Sequence, residues 1–156
     1  MTDFRDDRVV SALRGENPTV LARLATSFAV MGDVQFLPGY CIALVDRPGI
    51  EVLTDLPRKD RLTYLSDVDL LAEAVTNVCR SRDSAFRRVN IEILGNTYAA
   101  LHIHIWPRYD WEPAARLAMP VWLYSRDHWS ASKWRLSPDH DGWRRDLARE
   151  IARLGS

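Results

Sequence analysis

An excess of charge is the first thing missing from this chain. Lys and Arg total 21, Asp and Glu total 21, and the formal net charge is zero. With no global basic field to draw in nucleic acid, any nucleotide must be held by local groups. Cysteine is scarce as well. Cys41 and Cys79 each sit inside an apolar stretch, too few for a disulfide framework, and read as two buried thiols in a reducing cytoplasm. No apolar run approaches the ~18 residues of a membrane helix. The opening Met1-Thr2-Asp3-Phe4-Arg5-Asp6-Asp7 is polar and acidic, unlike a signal peptide. No repeat or low-complexity segment occurs. What remains is ordinary: 47% hydrophobic against 27% charged residues, enough to build a core. The expectation is a single cytoplasmic domain spanning residues 1–156, with no membrane or nucleic-acid partner.

Local patterns predict the elements. Residues 6–14 suit a short helix stopped by Gly15, and Asn17-Pro18 suits a second helix start, running to about Ala25. Ser27-Phe28-Ala29-Val30-Met31 reads as a strand closed at Gly32-Asp33, and Tyr40 to Val45 as another after the Pro38-Gly39 turn. A long helix follows a start signal at Asp55 and Pro57. Its apolar face is marked by Leu62, Leu65, Val68, Leu71, Ala72, Val75, Val78 and Cys79. Residues 87–94 and 100–106 predict two strands joined as a hairpin at Gly95-Asn96. Beyond Asp110 the chain turns irregular, with five of the six tryptophans, until residues 139–154 close it with a helix. The sum is an α+β domain with an antiparallel sheet and one long packing helix. Its core spans about residues 27–108, and 109–156 form a Trp-rich extension ending in a helix.

Chemistry concentrates in Ala100-Leu101-His102-Ile103-His104-Ile105-Trp106-Pro107-Arg108. On a strand His102 and His104 project from one face and Leu101, Ile103 and Ile105 from the other. Two half-buried polar residues satisfied by their neighbours would look like this. So would a metal site, which needs further ligands. Glu112 lies too far on for the cupin pattern, and nothing fixes Asp110 or His128 there. The third reading is attack by a neutral imidazole on phosphorus, with the second histidine donating to a phosphoryl oxygen and Asn96 and Thr97 adding donors from the turn. The sequence favours phosphorus.

These residues resemble the histidine-triad (HIT) superfamily of nucleotidyl hydrolases and transferases. Its signature is His-φ-His-φ-His-φ-φ, where φ is apolar, and Pro-Arg often follows. The likeness extends upstream through Pro38-Gly39-Tyr40, Leu53-Thr54-Asp55-Leu56, the long helix, Asn90 and Gly95-Asn96-Thr97. The run Asn90-Ile91-Glu92-Ile93-Leu94-Gly95-Asn96, with Pro120-Val121-Trp122-Leu123-Tyr124 downstream, is similar to a bacterial branch that lacks the first histidine and is related to diadenosine polyphosphate hydrolases. By position the resemblance implies His102 as nucleophile, His104 at the phosphate oxygens and leaving group, and Thr97 at the scissile bridging atom. It implies Asn96 and Asn90 at phosphate and Gly32 or Asp33 at the ribose hydroxyls. Phe28 or Phe36 would line the base cleft, and Tyr40 would contact the nucleotide. On the strand itself Trp106 and Arg108 share the parity of the two histidines: Trp106 would edge the groove, and Arg108 would reach phosphate unless it is a solvated strand end. Ala100 stands where the family has its first triad histidine, and Tyr40 where it has an outlying one. The resemblance further implies a homodimer acting on a nucleotide or nucleotide conjugate, with no obligatory cofactor or metal. The alternative is a nucleotide-binding protein that has lost turnover. The tail tryptophans read more readily as packing than as a base platform.

Overall fold

The computed structural model describes residues 3–156. Five antiparallel strands form one sheet in the order β1-β2-β3-β5-β4. They are β1 (Val20–Arg23), β2 (Ser27–Met31), β3 (Cys41–Val45), β4 (Phe86–Glu92) and β5 (His102–Tyr109). Helices α1 (Arg8–Leu13), α2 (Arg58–Arg82), α3 (Arg126–Ser130) and α4 (Asp141–Leu154) complete the α+β architecture. Among the described residues no helix is long and apolar enough to cross a membrane.

α2 lies across one face of the sheet and buries Val68, Leu71, Val75, Val78 and Cys79. Ile103 and Ile105 are fully buried, as period-two alternation requires for the face opposite His102 and His104. Two members of the expected helical face, Leu62 and Leu65, are instead exposed, and Tyr64 and Asp67 take the inward positions. Tyr64 donates its hydroxyl to the Ala43 carbonyl. The buried Asp67 carboxylate accepts from Ala25 N, Thr26 N, Thr26 Oγ1 and Ser27 Oγ, at 2.8–3.2 Å. A buried carboxylate so satisfied pins the helix to the β1–β2 turn. Cys41 and Cys79 are both free and buried, and burial pushes the Cys79 thiol up to about 11.

Three local expectations fail for identifiable reasons. The helix expected from Asn17 to Ala25 is strand β1. Asn17 does cap, but its Oδ1 accepts from Thr19 N at 3.0 Å and Thr19 Oγ1 at 2.6 Å, a turn that launches a strand rather than a helix. Pairing with β2 then decides the conformation. The tight hairpin at Gly95-Asn96 is a longer connection, residues 93–101. It is held by Leu101, which donates to Ile50 O and accepts from Val45 N. Finally, β5 runs through Pro107 to Tyr109 instead of stopping there. Beyond Ile105 it pairs with β4 only, an edge-like position that tolerates a missing N–H.

The tail is part of the same body. α4 packs Leu147 and Ile151 into the core beside α2. Before it, the chain returns to the segment after β2, where Gln35 N donates to Trp134 O and Leu136 N to Asp33 O.

Candidate active site

The sheet face away from α2 carries His102 and His104 at the floor of a cavity of about 540 Å³. Register explains the floor. His104 pairs with Ile42 and His102 with Leu44 on β3, and Ile42 in turn pairs with Val30 on β2. Paired residues share a face, so Val30, Ile42 and Leu44 form an apolar wall around the two imidazoles. The connection 93–101 supplies Asn96, Thr97 and Tyr98 to the rim.

The two imidazoles are 4.7 Å apart between ring centroids and held differently. Nδ1 of His102 lies 2.6 Å from the Ala100 carbonyl, which can only accept, so Nδ1 carries the hydrogen and Nε2 keeps its lone pair. Nδ1 of His104 lies 2.6 Å from the Tyr40 hydroxyl. Burial lowers the pKa of His102, opposed by the hydrogen bond to Ala100 and aided by the nearby Arg8. Burial, with the neighbouring His102, pushes His104 down to about 3. Both rings are therefore neutral at physiological pH, as a nucleophile and a neutral hydrogen-bond donor require.

This burial has a consequence for stability. An unfolded imidazole titrates near ~6.5, so protons bind the unfolded chain preferentially below that pH. The contribution of His104 is complete above pH ~7 and is lost as pH falls towards its folded value of about 3. Between pH 7 and pH 5 the wild-type protein is expected to lose about 2 kcal/mol more than His104→Gln. Urea unfolding at the two pH values measures this, and equal losses in the two proteins would contradict it.

Of the residues singled out in the sequence, His102, His104, Thr97, Asn96, Asp33 and Tyr40 line this one cavity. Gly32 stands behind it, where a Cβ would come within 2.0 Å of the Tyr40 ring. Phe28, Phe36, Asn90 and Arg108 do not line it. Phe28 is buried beside the Arg23 guanidinium, and Phe36 stacks within an aromatic cluster of Trp106, Tyr124, His128 and Trp129. Asn90 accepts from Arg108 Nη1 at 2.8 Å. Arg108 itself is not a phosphate ligand in this arrangement, because all its donors are spent. It pairs with the buried Glu112 through Nε at 2.9 Å and Nη2 at 3.0 Å, and donates to the Met119 and Arg116 carbonyls. Glu112 also accepts from Tyr124 Oη and Tyr109 N. This network anchors the tail.

The anchored tail reaches the site, which the sequence did not disclose. Trp122 lies edge-on to His104 with centroids 4.9 Å apart, and stacks on Trp129 at 4.8 Å; both tryptophans line the cavity. Packing and site-lining are thus the same role here. The other missed wall comes from the N-terminal side: Asn17, Thr19 and Arg8. Arg8 pairs with Asp33, and its backbone N–H donates to Tyr98 Oη at 3.1 Å. α1 thereby links the end of β2 to the β4–β5 connection. No spacing rule connects Arg8 to a histidine pair so far along the chain. Among the described residues, no three His, Cys, Asp or Glu side chains converge as a metal-binding group.

No family model matches the sequence, and no curated protein matches it. Solved structures do. A histidine triad protein from Sinorhizobium meliloti superposes with a TM-score of 0.68 at 19% identity, covering 99% of this chain and 96% of that one. One from Bradyrhizobium japonicum gives 0.69 at 19% identity, covering 85% and 89%. One from Marinobacter aquaeolei gives 0.62 at 20% identity, covering 87% of each. The chain has the fold of these histidine triad proteins over nearly its full length.

Proposed function

We propose that this chain is a nucleotidyl hydrolase or transferase that works through a covalent intermediate on His102. The observation that carries the reading is the 2.6 Å contact between His102 Nδ1 and the Ala100 carbonyl. It leaves Nε2 unprotonated in a cavity of nucleotide size, although Ala100 itself replaces a histidine of the family signature. A backbone acceptor orients the ring whatever side chain residue 100 bears.

The Nε2 lone pair attacks the α-phosphorus of a nucleotide conjugate, forming a P–N bond as the bond to the leaving group breaks. The resulting imidazolium keeps its Nδ1 hydrogen on the Ala100 carbonyl. His104, Asn96 and Thr97 donate to the phosphoryl oxygens or the bridging atom, where charge develops. The departing group takes its proton from water, while these donors keep theirs and stabilise the charge by hydrogen bonding. Water, or an acceptor nucleophile, then attacks phosphorus and breaks the P–N bond. This frees the mononucleotide, or the transferred product, and restores the neutral imidazole. Asp33 and the apolar wall formed by Val30, Ile42 and Leu44 hold the nucleoside. The substrate class is a nucleoside α-phosphate joined to phosphate, an amine or an acyl group.

The pairing of two such chains fits the exposed β4 edge, where Ile91 is 50% exposed and Ile93 and Leu94 lie alongside. A second reading, a nucleotide-binding protein without turnover, draws on the missing triad histidine at Ala100. A panel of dinucleoside polyphosphates, nucleoside phosphoramidates and adenylated small molecules separates the two by release of mononucleotide. Turnover of at least one class supports the enzyme. Tight mononucleotide binding with no turnover of any class supports the binder.

A further inference from the structure

Among the residues lining the cavity, Tyr40 hydrogen-bonds directly to the side chain of a catalytic candidate, His104. Its position is over-determined. The ring lies flat on Trp106, centroids 3.4 Å apart and planes 7° apart. The ring is also pressed against Gly32, where an added Cβ would stand 2.0 Å from its Cδ1. The backbone is held as firmly: Gly32 N donates to Tyr40 O at 3.0 Å, and Gln35 Nε2 donates to both Gly32 O and Tyr40 O. A ring so clamped delivers its hydroxyl to one place, 2.6 Å from Nδ1 of His104.

We propose that Tyr40 is a positioning residue: its hydroxyl donates to Nδ1 of His104 and thereby holds the hydrogen of that imidazole on Nε2, the ring nitrogen left for substrate. Burial raises the Tyr40 phenol well above its ordinary range, so the oxygen keeps its proton. A neutral imidazole has one donor and one acceptor nitrogen, and an Nδ1 that accepts leaves Nε2–H. The result is a pair of neighbours in opposite tautomers. His102, donating through Nδ1 to a carbonyl, presents a lone pair; His104, accepting from a phenol, presents a hydrogen. Two identical side chains thus acquire different roles from different partners. The catalytic part of this inference rests on the function proposed above; the tautomer does not.

The chain has only four histidines, so ¹⁵N-histidine labelling and long-range proton–nitrogen correlation resolve each ring. In the wild-type protein without ligand, His104 is expected as a single Nε2–H tautomer across roughly pH 5 to 8. In Tyr40→Phe that single tautomer is lost. Turnover falls by about 10- to 100-fold with KM within about threefold, as for other loss of outer support. Tyr40→His, which can also donate to Nδ1, restores most of the rate, whereas a merely space-filling role would favour phenylalanine. A wild-type Nδ1–H tautomer at His104 overturns the proposal. So does a Tyr40→Phe protein with unchanged tautomer and unchanged turnover. If Tyr40→Phe does not fold, the wild-type spectrum still decides. If the wild-type protein turns over no substrate, the enzyme reading fails, and the tautomer, read without substrate, still decides the role of Tyr40.

Discussion

His102→Ala is expected to lower turnover by about a thousandfold or more while leaving mononucleotide affinity within a few-fold, as for removal of any nucleophile that no neighbour can replace. His104 cannot substitute. Its Nδ1 is engaged by the Tyr40 hydroxyl, and it occupies a different register position on β5, paired with Ile42 rather than Leu44. The substitution removes little of the apolar wall proposed for the nucleoside, since Val30, Ile42 and Leu44 remain. Single-turnover kinetics beside calorimetric titration with a mononucleotide separate the two effects. A parallel loss of affinity and rate would show that His102 binds rather than attacks.

Arg108→Ala is expected to cost about 3–5 kcal/mol of stability, because it leaves a buried carboxylate without its partner. Glu112 is completely buried and the Arg108 side chain only 5% exposed. The loss also frees two tail carbonyls, those of Arg116 and Met119, and the acceptor of Asn90. A chain of this length should lose roughly 10 °C in Tm. Replacing both partners by apolar residues, Arg108→Met with Glu112→Leu, should cost less than Arg108→Ala alone, since no charge is then left unpaired. Urea unfolding of Arg108→Met, Glu112→Leu and the double variant tests this as a cycle, beside Arg108→Ala. An Arg108→Ala protein as stable as the wild type would return Arg108 to the role of a free cation. Because Trp122 hangs from the same anchored segment, the destabilised variant should also lose the packing of Trp122 against His104.

What the sequence disclosed follows from period and spacing. The alternation around His102 and His104 placed both imidazoles on one face and the isoleucines on the other, and the apolar repeat through Val68, Leu71, Val75 and Val78 placed the long helix on the sheet. Asn96, Thr97 and Asp33, the last assigned through the resemblance, reach the same cavity because the connection 93–101 and the segment after β2 both open onto the histidine face. Elsewhere tertiary pairing overrode local signals. Asn17-Pro18 has the chemistry of a helix cap, yet the edge of β2 recruited the following residues as a strand. Arg108 shares the parity of the histidines, but parity does not reveal a buried Glu112 four residues on. Trp122 and Arg8 come to the site from distant segments, and only the folded chain shows that they meet it.

The central claim, a nucleotidyl bond to His102, is tested most directly by rapid alkaline quench of a reaction with radiolabelled substrate, followed by mapping of the labelled peptide. A phosphoramidate survives alkali and is lost in acid. The account predicts label on the peptide containing His102, stable in base, released by acid, and absent from His102→Ala. Steady release of mononucleotide with no alkali-stable label at any time, or equal labelling of the wild-type and His102→Ala proteins, would contradict it.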